Sequence, residues 1–100
     1  MNTLNVLEEA SGSMVEGKTA LATDQFTEAV MAFRAGLRCI GNQYLGEQLV
    51  FDNTPTRITL AGMEERKGNN SVAANLLYNA LGSRISLMQR KVAATQESAS

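Results

Sequence analysis

The most reactive side chain in the sequence is a single cysteine, and the chain has no histidine to activate it. Cys39 is the only cysteine among the 100 residues, and the chain contains no histidine. A catalytic cysteine acts as a thiolate and is commonly activated by a neighbouring histidine. Leu37 and Ile40 place Cys39 in an apolar stripe, where thiolate formation is disfavoured. The pattern favours a structural role for Cys39.

Carboxylate pairs are the other groups that could carry chemistry. Glu8-Glu9 and Glu64-Glu65 are adjacent in sequence, so on a helix the members of each pair diverge by about 100°. Glu64 and Lys67, at i and i+3, are typical of an ordinary surface pair. No Glu-x-x-His pair is present for a di-iron site, and neither glycine-rich nucleotide motif occurs. We therefore expect no enzyme activity, no metal site and no cofactor.

The charge balance bears on the class of partner. Nine basic and ten acidic residues give a formal net charge of −1, whereas nucleic-acid binding requires a clustered basic surface. No apolar run approaches the roughly 20 residues that span a bilayer. We expect no nucleic-acid partner, no membrane insertion and a cytoplasmic location.

Apolar residues recur at helical spacing and predict four helices. The first runs from about Thr3 to Leu21 and contains two glycines, which weaken a helix interior. Asp24 is a suitable N-cap for the second helix. Gly41-Asn42 could end this helix, but its apolar stripe reaches Tyr44 and could run on to Phe51; we expect continuation past Gly41. Its apolar stripe comprises Phe26, Val30, Phe33, Leu37, Ile40 and Tyr44.

The second half of the chain has clear start and stop signals. Thr54 is expected to cap the third helix, with Pro55 at its first position, where the missing N–H costs little. Gly68 is expected to end that helix in the left-handed conformation. Asn70 or Ser71 caps the fourth helix. Its apolar stripe comprises Ala73, Leu77, Leu81, Met88 and Val92.

These elements predict an all-α fold, a four-helix array of two antiparallel helical hairpins that is either tetratricopeptide-like or an irregular bundle. One domain would cover residues 1–93. It would consist of a hairpin at 3–43, an apolar connection at 44–53 and a hairpin at 54–93. Small polar residues predict a flexible tail at 94–100.

The two hairpins repeat at an offset of 44 residues. Ala29 then matches Ala73, and Asp24 matches Gly68. Three further pairs follow the same offset, namely Phe33 with Leu77, Gly36 with Ala80 and Leu37 with Leu81. Small residues alternating with large ones allow antiparallel helices to approach closely.

This pattern resembles the tetratricopeptide repeat, whose unit is about 34 residues. The copies would span 10–43 and 54–87, with Gly17 at the close-packing position of the first helix. Glu16 and Asn70 depart from the family pattern, and neither copy ends in proline. Residues 24–40 also resemble, more weakly, the microtubule-interacting-and-trafficking domain, which binds helical peptide tails. Alternatively, the small residues reflect helix packing alone.

The resemblance implies a non-catalytic protein-interaction module, or a small chaperone or adaptor, that holds a helical partner segment. It implies that Arg57 and Glu64 face the partner groove. The connection carries five large apolar residues, which form either a contact surface or a cap on the core: Tyr44, Leu45, Leu49, Val50 and Phe51. The alternative function is a structural or regulatory homodimer of a helical bundle without a separate ligand.

Overall fold

The computed structural model describes residues 3–41 and 53–99, with side chains described over 4–41 and 53–94. Within these ranges the chain is helical and contains no strand. The helices are α1 at Thr3–Ala22, α2 at Phe26–Ile40, α3 at Thr54–Arg66 and α4 at Asn70–Ala99. The predicted all-α array of two helical hairpins is confirmed. The five apolar residues of the connection lie outside the described residues.

The first hairpin turns at a left-handed aspartate. Asp24 has φ 57°, and its N–H donates to the Leu21 carbonyl at 3.1 Å while the Gln25 N–H donates to the Ala20 carbonyl at 2.8 Å. These two bonds are the Schellman pattern that ends a helix. The expectation that Asp24 caps α2 is wrong: Asp24 terminates α1, and Gln25 precedes α2 without a side-chain cap.

The second hairpin repeats this turn at the predicted offset of 44 residues. Gly68 has φ 84°, its N–H donates to the Glu65 carbonyl at 3.0 Å, and the Asn69 N–H donates to the Glu64 carbonyl at 2.9 Å. The predicted left-handed Gly68 is confirmed. Asp24 and Gly68 therefore occupy equivalent positions in two equivalent turns.

Four helix ends differ from expectation. α4 starts at Asn70, so the expectation that Asn70 or Ser71 caps it from outside is wrong. α2 stops at Ile40, because Gly41 adopts φ 59° while its N–H bonds the Leu37 carbonyl; the predicted continuation past Gly41 is wrong. α3 is preceded by Asn53 and starts at Thr54, one residue before the expected start. α4 is assigned as helix to Ala99, and the flexibility of 94–100 stays a prediction.

The core forms where large side chains meet small ones. Phe33 is fully buried, and a Cβ added to Gly17 would overlap its ring, so the predicted close-packing role of Gly17 is confirmed. The Phe33 and Tyr78 rings meet edge to face at 5.7 Å between centroids. Leu81 covers Gly36 in the same way. α4 packs against α1, α2 and α3 and so joins the hairpins.

Candidate functional site

The two predicted groove residues on α3 are both engaged inside the second hairpin. An Arg57 guanidinium N–H donates to the Ser83 hydroxyl at 3.2 Å. The Glu64 carboxylate accepts from the Asn69 amide at 2.7 Å and pairs with Lys67 at 3.7 Å. The structure therefore places both residues in contacts that hold α3 to its turn and to α4, and their role in partner binding stays a prediction.

An open groove lies between α2 and α3, which are joined there by an ion pair. Arg34 Nη2 of α2 and Glu65 Oε2 of α3 are 2.7 Å apart, with 33% and 26% of their side chains exposed. Gly62 of α3 also lies close to this arginine, since a Cβ built on it would be 3.9 Å from Arg34 Nη2. We call this the α2–α3 groove. It has a volume of about 240 Å³ and is lined by Thr27, Val30, Met31, Arg34, Arg38, Glu65 and Asn70.

The groove combines an apolar wall with positive charge. Met31 is 66% exposed and Val30 lies beside it, largely buried. Met31, Arg34 and Arg38 follow at i, i+3 and i+7, which places them on one face of α2. Arg38 has no carboxylate within 4 Å among the residues described. The groove can therefore hold an apolar side chain and, beside it, an anionic one.

Helix α3 is the least buried of the four helices. Thr54 and Ala61 are its only buried residues, whereas α2 buries five. Its three large apolar side chains are all substantially exposed: Ile58, Leu60 and Met63. Exposed apolar side chains gathered on one element mark interaction surfaces.

Core patterning alone does not indicate these features, because the main apolar stripe of each helix marks only its core face. The exposed Met31-Arg34-Arg38 spacing was readable in the sequence as a second stripe on α2. The pairing of Arg34 with Glu65 cannot be predicted from the sequence, because it depends on how the two hairpins dock.

The Cys39 side chain lies beside a carboxylate, that of Glu9, and not beside a histidine that could activate it. Its thiol donates to Glu9 Oε2 at 3.1 Å. Partial burial, together with the hydrogen bond and negative charge of Glu9, raises the pKa of the Cys39 thiol above its ordinary value. A raised pKa leaves less thiolate at neutral pH, so this arrangement suppresses nucleophilic reactivity.

In the part of the chain that the structure describes, no group of three or more histidine, cysteine, aspartate or glutamate side chains could hold a metal ion. None of the helices found there has the length and apolar character needed to cross a membrane. No protein-family model matches the sequence, and no curated protein or solved structure is significantly similar to it.

Proposed function

We propose that this chain is a non-catalytic protein-interaction module, of the small chaperone or adaptor kind, that holds one helical partner segment in the α2–α3 groove. The observation that supports the proposal is the groove itself. α2 and α3 are bridged there by the Arg34–Glu65 pair, and Met31 is presented to solvent beside it. An exposed methionine of this kind is suited to an adaptable contact, because its unbranched side chain fits irregular surfaces.

Binding would follow the helix-in-groove mode. An apolar side chain of the partner would pack against Met31 and Val30. A carboxylate one turn away on the partner would pair with Arg38, which has no ion pair among the described residues. The Arg34–Glu65 pair would hold the two walls at a constant separation, so that the site exists before the partner arrives and less ordering entropy is lost on binding.

A groove variant and a matched control test this proposal. Met31→Ser with Arg38→Glu removes the apolar contact and reverses the free charge. Both side chains are exposed, so folding should be retained. The control is Val72→Ser with Arg90→Glu on α4, where both residues are also exposed and neither lines the groove.

The measurement is affinity capture from cell extract with the wild-type chain and both variants, followed by quantitative mass spectrometry. We expect at least one protein that the wild type and the control retain and the groove variant loses. A far-UV circular dichroism spectrum should show equal helix content in all three chains. If every protein retained by the wild type is retained equally by a folded groove variant, the groove is not the binding site.

A further inference from the structure

The two hairpins carry opposite net charge. Within 3–41 there are five acidic and three basic side chains, a net charge of −2. Within 53–99 there are three acidic and six basic side chains, a net charge of +3. The small net charge of the whole chain therefore hides a strong asymmetry. Two copies of the chain would attract each other when the first hairpin of one faces the second hairpin of the other.

The acidic hairpin presents an outward face on α1 that is both apolar and negative. We call it the α1 outer face, and it consists of Leu4, Glu8, Gly12, Val15 and Glu16, all exposed. These positions fall within about 120° of one another on a helix of 3.6 residues per turn. Val15 is 63% exposed. A Cβ built on Gly12 would meet no atom within 4 Å, so the centre of this face is open.

The basic hairpin presents the matching face on α3. The α3 outer face consists of Leu60, Met63, Arg66 and Lys67, again all exposed. Leu60 and Met63 are 43% and 44% exposed. Lys67 makes one long ion pair with Glu64, and Arg66 makes none with the described residues.

From these two faces we infer that the chain binds a second copy of itself, with the α1 outer face of one copy docked antiparallel on the α3 outer face of the other. The residue spacing agrees with that register. Along α1 the steps from Val15 to Gly12 to Glu8 are three and four residues. Along α3 the steps from Leu60 to Met63 to Lys67 are also three and four.

This register gives each residue a chemically suitable neighbour. Val15 meets Leu60 as an apolar pair. Met63 enters the open space above Gly12, in the manner of a large side chain packed on a small one. Glu8 meets Lys67 at the edge, so that the apolar contact has a charged rim. The α2–α3 groove takes no part in this contact, and it stays open to the partner proposed above.

Reciprocal charge reversal tests the contact. One variant carries Glu8→Lys and Glu16→Lys, which makes both of its outer faces positive. The other carries Arg66→Glu and Lys67→Glu, which makes both negative. The matched control is Arg90→Glu with Lys91→Glu, which has the same total charge as the second variant but alters exposed cations of α4. Association is measured by sedimentation velocity at low and at high salt.

We expect the wild type and the control to associate at low salt and to dissociate at high salt, because exposed charge pairs are screened. Each reversal variant alone should lose the associated species, and an equimolar mixture of the two should regain it. If either variant fails to fold, the neutral version with Glu8→Gln and Glu16→Gln should show a partial loss.

Three outcomes would overturn the proposal. A wild-type chain that is monomeric at every concentration at low salt excludes it. Association that both variants retain would mean that copies meet through another surface. A mixture that associates no better than its components would show that the acidic and basic faces do not meet.

Discussion

The two hairpins have turns of the same type but differ in how deeply their helices are buried. Asp24 and Gly68 both adopt the left-handed conformation and both close a Schellman pair. Yet α1 buries four of its described residues, whereas its counterpart α3 buries only Thr54 and Ala61. A turn is determined by a few neighbouring residues, while burial depends on the sizes of the side chains that face the core. The equal turns therefore support two unequal hairpins, and α3 is the element left with surface for partners.

The largest expected effect is at the centre of the well-packed hairpin. Phe33→Ala should lower the free energy of unfolding by about 3–5 kcal/mol, because it removes a fully buried ring and leaves a cavity. Met31→Ala, two residues away and mostly exposed, should change it by less than about 0.5 kcal/mol. Urea unfolding followed by circular dichroism measures both. Similar losses at the two positions would mean that α2 buries a different face.

The two glycines of α1 should respond in opposite directions. Gly17→Ala should destabilise the chain by about 1–3 kcal/mol, because its Cβ would overlap the Phe33 ring. In the dilute monomer Gly12→Ala should stabilise it by about 0.5–1 kcal/mol, because nothing in the same chain lies near the new Cβ and alanine favours a helix. The same unfolding experiment separates them. A stabilising Gly17→Ala would contradict the close packing of Phe33 on α1.

The equivalence of the two turns can be tested by replacing the left-handed residue of each. Gly68→Ala should cost about 1–2 kcal/mol, since a Cβ is unfavourable in the left-handed conformation. Asp24→Gly should instead give a smaller change of opposite sign, because glycine adopts the same φ without strain. Thermal unfolding of both variants checks this. A neutral Gly68→Ala would contradict the left-handed conformation of Gly68, and with it the equivalence of the two turns.

The smallest effect concerns the thiol of the first hairpin. Glu9→Gln removes the negative charge beside Cys39, which is one cause of the raised pKa, so that pKa should fall. More thiolate then forms at a given pH, and the pH profile of alkylation by iodoacetamide should move to lower pH. Glu8→Gln is the control, since the contact with Cys39 belongs to Glu9. An unchanged profile in Glu9→Gln would show that burial alone sets this pKa.

Most of the fold could be predicted from local signals, and the errors arose where two signals competed. Aspartate favours the N-cap but also tolerates the left-handed conformation; at Asp24 the second property prevails, and the residue ends α1. At Gly41 an apolar stripe that extends to Tyr44 favoured a longer helix. The left-handed backbone of the glycine instead ends α2 at Ile40.

The candidate site was harder to predict because it depends on the docking of one hairpin on the other. The repeat register indicated Glu64 as a groove residue, whereas the side chain that reaches α2 is its neighbour Glu65. One position on a helix is a rotation of about 100°. A register inferred from small residues alone does not determine the orientation of α3 to that accuracy, since α3 buries only Ala61 and Thr54.

Native-state hydrogen exchange of the dilute monomer tests most directly whether the second hairpin leaves α3 weakly held. Amides of α2 that surround Phe33 should exchange slowest, close to the rate set by global unfolding. Amides of α3 from Ile58 to Arg66 should exchange much faster, through local opening of a helix that buries two residues. Equal protection of α2 and α3 would contradict the account, because α3 would then be as firmly packed as the first hairpin.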